Sequence, residues 1–222
     1  MKTLYCTLTI IRHGESLGNL KDVQGGDPDL SEKGITQAKE LQQKLNHIDA
    51  SAIFTSDLLR ARRTAEIINQ ERKLALISTK ILRERHYGVA EGKEFLSLTQ
   101  DLKDALVNYQ TLTARERRTL RPVPEMENDD ELAGRFITFL REIAVGYARS
   151  EVIVVCHGDL MKTLLVHTGF ADHNELPWGA MENASYIIVE CDGVEFKLRQ
   201  THGIRKLRPT DSPDWQRIKS SD

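Results

Sequence analysis

The sequence predicts an α/β fold, a three-layer α/β/α sandwich around a mainly parallel central sheet. Short continuous apolar runs recur at 8–11, 52–55 and 152–156, the pattern of parallel strands buried on both faces. Between them lie segments whose apolar residues return every three or four positions, as in helices covered on one side. Strand-type and helix-type segments therefore alternate, which builds a parallel sheet with helices on both faces.

Each element follows in order. The first strand lies inside "TLTIIRHGESLGN" (7–19) and stops abruptly at Arg12 and His13. Ser31 caps a helix with Ile35, Ala38, Leu41 and Leu45 on one side,. The strand in "AIFTSD" precedes a helix carrying Leu58, Ala61, Ala65 and Ile68; Leu132, Phe136, Phe139, Leu140 and Ile143 mark another. The run in "EVIVVCHGD" (151–159) again ends in His-Gly, and a short helix over 159–168 is stopped by Gly169,. Segments 186–190 and 195–199 read as late strands around an Asp192-Gly193 turn,. Two segments break the rhythm. The charged stretch 93–127, with "TARERRTLRPVPE", is expected to be an insert or lid with some helix inside a single domain spanning 1–222. The polar tail 201–222, with "RPTDSPDW", is expected to be irregular.

At 222 residues, 40% hydrophobic and 29% charged, the chain has the composition of an ordinary globular protein. A formal charge of −2 supplies no global basic field for nucleic acid or an anionic membrane surface. No apolar run approaches the ~20 residues of a membrane span, and the opening "MKTLYCTLTII" reads as a first strand rather than a targeting segment,. Cys6, Cys156 and Cys191 are an odd, widely spaced set. Buried free thiols in a reducing compartment are expected, which points to the cytoplasm.

Three basic motifs fall at the same kind of place. Arg12-His13 follows the first strand, Arg60 opens the helix after the second, and His157 follows the strand "VIVVC". The carboxyl ends of parallel strands share one edge, where open α/β sheets bind ligands. Helix amino termini converge there and favour anions. Two histidines and two arginines at one edge imply a local anion pocket, and guanidinium geometry suits phosphate.

In order along the chain, "RHGESLGN", "DLSEKGITQA", "TSDLLRARRTAEI", "ERHYGVAEG", "VVCHGDLMKTL" and "ENASY" resemble the histidine phosphatase superfamily, in its phosphoglycerate mutase-like branch. The resemblance implies that His13 is the nucleophile, forming a phosphohistidine, with its other ring nitrogen held by a backbone carbonyl. It makes Arg12, Arg60 and His157 the grip on the phosphoryl oxygens, and Ser16 and Asn19 further neutral donors. Glu84 of "ERHYG" is the implied proton donor to the leaving oxygen; a carboxyl beside a phosphate dianion is expected to keep its proton near neutrality. Gly25, His86, Tyr87, Gly158 and Asp159 complete the expected substrate contacts. His86 and Tyr87 either line the pocket or simply pack, and Asp159 stands where mutase relatives carry asparagine. No metal is required, and His167 and His173 are expected to be structural or exposed.

The implied function is hydrolysis of a small phosphorylated metabolite. The alternative is a cofactor-dependent phosphoglycerate mutase with 2,3-bisphosphoglycerate as phosphoryl donor, and a third reading is a catalytically silent phosphoryl binder. "ERHYG" is spelled in the mutase manner, whereas Leu17-Gly18 and "VQGGDPDLSEKG" follow the phosphatases. Arg115, Arg117, Arg118 and Arg121 either bind a substrate carboxylate or second phosphate, or form a solvated helix face.

Overall fold

The computed structural model describes residues 4–211. Among them, six strands form one sheet: β1 (Cys6–Arg12), β2 (Ala50–Ser56), β3 (Leu76–Thr79), β4 (Glu151–Cys156), β5 (Met181–Cys191) and β6 (Phe196–Ile204). Their order is β3-β2-β4-β1-β5-β6. The first four run parallel, and β5 and β6 add an antiparallel edge. The helices are α1 (Leu17–Leu20), α2 (Glu32–Lys44), α3 (Leu59–Asn69), α4 (Gln100–Tyr109), α5 (Ala114–Arg117), α6 (Asp129–Gly146) and α7 (Gly158–His167).

Side chains of a strand alternate between faces, and here both faces are covered. Leu8, Ile10, Val152 and Val154 pack beneath Leu132, Phe136 and Leu140 of α6 and Leu160 and Leu164 of α7. Ile11, Ile153 and Val155 face Leu41 of α2 and Ala61, Ala65 and Ile68 of α3. Each fully covered aliphatic side chain contributes ~1.5–3 kcal/mol, so the unbroken apolar runs are the signature of this two-sided burial. Cys6, Cys156 and Cys191 are buried and unbridged. Among the described residues no helix is long and apolar enough to cross a membrane.

Three details differ from the sequence expectation. β3 has no counterpart in it, because "LIST" lies at the sheet edge and is only partly covered. β6 extends to Ile204, so 201–204 belong to the sheet rather than to an irregular tail. Edge exposure accounts for their polarity: Thr201 and His202 pair with Ile187 and Tyr186. Of the remaining tail, 209–211 form a single 3-10 turn and 212–222 lie outside the described residues. Segment 93–127 also has a core of its own, in which Phe95, Leu106, Tyr109, Val123 and Met126 pack against Tyr87 and Ala90.

The loop leaving β1 is clamped to the start of α2. Ser31 Oγ accepts from the Gly34 N–H at 3.0 Å and donates to Glu15 Oε1 at 2.8 Å. Gln37 Oε1 accepts the Glu15 N–H at 2.8 Å. The approach is close enough to require glycine: a Cβ at Gly34 would stand 2.0 Å from the Glu15 carbonyl oxygen, and one at Gly14 would stand 2.5 Å from that of Gly34. Gly34→Ala is therefore expected to lower stability by about 1–3 kcal/mol and to reduce turnover by displacing the loop that holds His13. Urea unfolding and steady-state kinetics of the variant check this; an unchanged midpoint would contradict the close approach.

Candidate active site

β1 and β4 are adjacent and parallel, with Arg12 opposite Cys156. The residues that follow must therefore meet. The His13 N–H donates to the Cys156 carbonyl at 3.1 Å, and the rings of His13 and His157 lie 5.0 Å apart at 62°.

His13 is fixed as one tautomer. Its Nδ1 lies 2.7 Å from the Gly14 carbonyl oxygen, which can only accept, so Nδ1 carries the proton. Arg60 Nε donates to Nε2 at 3.1 Å, which places the lone pair there. Burial, with the guanidiniums of Arg60 and Arg12, pushes the His13 pKa well below the ordinary histidine value,. The ring is neutral, its Nε2 accepts from Arg60, and His13 forms part of the cavity wall.

Arg60 sits in the first turn of α3 and donates through Nη1 to the Gly26 carbonyl at 2.8 Å. Thr64, one turn on, accepts the Gly14 N–H at 3.1 Å and donates to the Arg60 carbonyl at 2.8 Å. Arg12 donates to the Met181 carbonyl from the opposite side. His157 is the N-cap of α7 and is completely buried. Burial lowers its pKa well below the ordinary value, and Arg60 and His13 lower it further. Neither of its ring nitrogens has a hydrogen-bond partner among the described residues.

Glu84 stands across the same cavity. Its Oε1 accepts from the N–H of Arg85 at 3.0 Å and of Asp159 at 3.2 Å. Neither flanking arginine forms an ion pair with it: Arg83 pairs with Asp57, and Arg85 with Asp159 and Asp129. Burial, then the neighbouring Asp159 carboxylate, raise its pKa to about 7.

The cavity has a volume of about 600 Å³ and is lined by Arg12, His13, Arg60 and Glu84 together with Ser16, Asn19, Gly25 and Tyr87. Four expected contacts are placed differently. His157 has no exposed surface, packs against the His13 ring and does not itself line the cavity. His86 is exposed and lines a second cleft on the far side of Glu84, because the backbone turns between it and Tyr87. The Asp159 carboxylate is held by Arg85 Nε at 2.7 Å and the Tyr87 hydroxyl at 3.3 Å, behind Glu84. Gly158 lies beneath Arg12, where a Cβ would come within 3.6 Å of Nε. Asn183, Phe95 and Trp178 also line the cavity but were not singled out from sequence. Asn183 lies in the quoted "ENASY", and its Nδ2 donates to Asn19 Oδ1 at 3.1 Å.

A buried ionic cluster backs the acid. Asp129 accepts from Arg85 Nη2 at 2.7 Å, the Tyr109 hydroxyl at 2.8 Å and Arg117 Nε at 2.9 Å. His173 Nε2 lies 3.1 Å from the same carboxylate. Its pKa falls to about 3, chiefly through burial, so it is a neutral donor. His167 instead packs edge-on to Phe196.

Residues 8–202 match the family model of the histidine phosphatase superfamily (branch 1). The chain is 31% identical over 192 residues to "Uncharacterized phosphatase PhoE" of Bacillus subtilis, covering 86% of this chain and 91% of that one. It is 32% identical over 168 residues to a 2,3-bisphosphoglycerate-dependent phosphoglycerate mutase of a Bradyrhizobium strain, covering 72% and 79%. The solved structure of Bacillus stearothermophilus YhfR superposes with a TM-score of 0.78 at 28% identity, covering 90% of this chain and 97% of that one.

Removing one partner of a buried ion pair strands the charges left behind, at a cost of ~3–5 kcal/mol. Asp129→Ala should lower the unfolding free energy by about that amount, measured in urea at neutral pH. Burial opposes ionisation of Asp129, but Arg85 and Arg117 outweigh it and hold its carboxyl well below the usual range. Its stabilisation is therefore complete above about pH 4 and is lost as acid titrates it in the folded state. The gap between wild type and variant should narrow in acid, and a gap independent of pH would contradict this.

Proposed function

The chain belongs to the histidine phosphatase superfamily, branch 1, and from that premise we propose that it is a phosphomonoester hydrolase acting through a phosphohistidine on a small phosphorylated metabolite. The observation that carries this reading is the neutral His13 on the cavity wall, its Nδ1 proton held by the Gly14 carbonyl, its Nε2 accepting from Arg60 and its ring 5.0 Å from that of His157.

His13 Nε2 attacks phosphorus in line as the bond to the leaving alcohol breaks, and Glu84 gives that oxygen its proton. Arg12, Arg60 and His157 hold the equatorial oxygens, where charge must be met in the transition state. Ser16 and Asn19 add neutral contacts at the cavity wall. Water then attacks the phosphorus from the side of Glu84. The carboxylate takes the water's proton, the phosphorus–nitrogen bond breaks, and inorganic phosphate leaves with His13 neutral again. The two guanidiniums supply the positive charge, so the scheme needs no metal or other cofactor. Glu84 gives a proton in one half-reaction and takes one in the other, and a pKa of about 7 serves both.

The cavity lining favours hydrolysis over mutase chemistry. A mutase must also hold a carboxylate or second phosphate, and 93–127 offered four arginines for that task. Arg117 is buried against Asp129, while Arg118 and Arg121 pair with Asp130 and Glu131. Among the described residues, neither these three nor Arg115 lines the cavity, where Glu15, Asp22 and Glu182 stand beside Lys33, Phe95 and Trp178. This lining suits an alcohol without a second anionic group. The three buried thiols support a reducing compartment, the cytoplasm,.

His13→Ala should lower hydrolysis of p-nitrophenyl phosphate by roughly a thousandfold or more and abolish acid-labile phosphate captured on the protein; turnover equal to wild type would refute the nucleophile. With 3-phosphoglycerate and catalytic 2,3-bisphosphoglycerate, slow phosphate release with little isomerisation is expected. Rapid isomerisation without phosphate release would establish the mutase instead.

A further inference from the structure

Phosphoryl transfer through His13 needs an acid at Glu84, but it does not by itself need a second carboxylate against that acid. Asp159 provides one. Its N–H, in the first turn of α7, donates to the Glu84 carboxyl at 3.2 Å. Its own carboxylate is anchored by Arg85 Nε at 2.7 Å and the Tyr87 hydroxyl at 3.3 Å. Arg85 is fixed in turn by Asp129 and by the Glu127 carbonyl at 2.8 Å, and Asp129 by Tyr109 of α4 and Arg117 of α5. The chain of contacts thus runs from segment 93–127 to the acid without touching the cavity's phosphoryl end.

We infer that Asp159 is a positioning residue for the proton donor: its negative charge, anchored behind Glu84 by Arg85 and Tyr87, keeps the proton on the acid that faces the leaving group. This rests on the hydrolase reading and assigns the role that makes Asp159 differ from an asparagine at the same place.

The electrostatics around Glu84 show why the charge matters. Arg12 of β1 and Arg60 of α3 face it and favour the carboxylate, as does the N–H of Arg85. Arg135 of α6 reaches its main-chain carbonyl at 3.3 Å, and the buried Cys156 thiol and Tyr87 hydroxyl nearby remain neutral. Against the two guanidiniums, only burial and Asp159 act to retain the proton. Burial opposes ionisation of Asp159 as well, but Arg85 and Lys162 outweigh it and keep that carboxylate charged. Glu84, the carboxyl on the cavity wall, therefore holds its proton to higher pH than Asp159 does.

The test is the pH profile of Asp159→Asn, which keeps the shape and an acceptor for Arg85 but removes the charge. Two esters are compared: glycerol 2-phosphate, whose alkoxide must be protonated as it leaves, and p-nitrophenyl phosphate, whose phenolate leaves readily. The alkaline limb of kcat for the alkyl ester should move to lower pH by roughly one unit or more. At pH 8 the alkyl ester should lose severalfold more rate than the aryl ester. In a Glu84→Gln background, Asp159→Asn should produce no such limb shift. Equal loss on both esters at every pH, or a shift that persists without Glu84, would overturn the assignment. Asp159→Ser gives a second reading if Asp159→Asn does not fold: it also removes the charge and should move the same limb in the same direction, and an unmoved limb would count against the proposal. Wild-type activity that survives His13→Ala would instead undermine the hydrolase reading itself.

Discussion

Two guanidiniums beside two buried imidazoles cannot coexist with charged rings, and the rest of the site depends on this constraint. Burial depresses the pKa of both His13 and His157, and Arg60 and Arg12 lie close enough to depress it further. The nucleophile is therefore neutral through electrostatics rather than through a partner base, and the Gly14 carbonyl needs only to fix its tautomer. The same crowding of positive charge leaves the centre short of an anion. In the proposed reaction a phosphoryl group supplies that anion, and it reaches the Nε2 lone pair that accepts from Arg60 Nε.

The sheet makes this crowding affordable. β1 and β4 lie side by side in parallel register, so the residue after each strand arrives at the same point without help from flexible loops. Gly14 and Gly34 let α2 press against the turn, and Thr64 ties that turn to the helix bearing Arg60. Catalytic side chains on such rigid supports are held within small tolerances. Opposite them, Glu84 has no strand of its own. It is placed by backbone amides and by the ionic cluster behind it, so the base and the acid are positioned by physically different means.

That difference explains what could be read from the sequence. The nucleophile side follows from local pattern: an apolar run buried on both faces ends in Arg-His or in His-Gly, and topology does the rest. The acid side depends on contacts between residues far apart in the chain, such as Arg85 with Asp129 and with Asp159. Nothing in "TARERRTLRPVPE" distinguishes the fully buried Arg117 from its exposed neighbours Arg115 and Arg118. Edge strands escaped for a related reason. "LIST" and the end of β6 bury too little to show periodicity. Thr64 and Trp178 carry no signal either, because a hydroxyl under a loop and an indole on a cavity wall are set by tertiary packing alone.

The division also separates what the fold holds fixed from what it leaves open. In the proposed mechanism the phosphoryl group is gripped by His13, His157, Arg12 and Arg60, all at the carboxyl edge of the sheet or in the first turn after it. The other walls of the cavity, which would face the alcohol in the proposed reaction, are the turn through Asp22 and Val23, Phe95 from segment 93–127, Trp178 from the approach to β5 and Glu182 at its start. Those walls are loops joined to one another, as where Gln24 donates to the Lys93 carbonyl and Phe95 to that of Asp22. They can change residue by residue without disturbing the centre. Arg117 is the instructive exception. A guanidinium in the insert is well placed in sequence to bind a second anion, yet here it is buried against Asp129. The charge thereby supports Asp129 and, through Arg85, the surroundings of Glu84 instead of reaching the cavity, which is the arrangement that the proposed hydrolase needs.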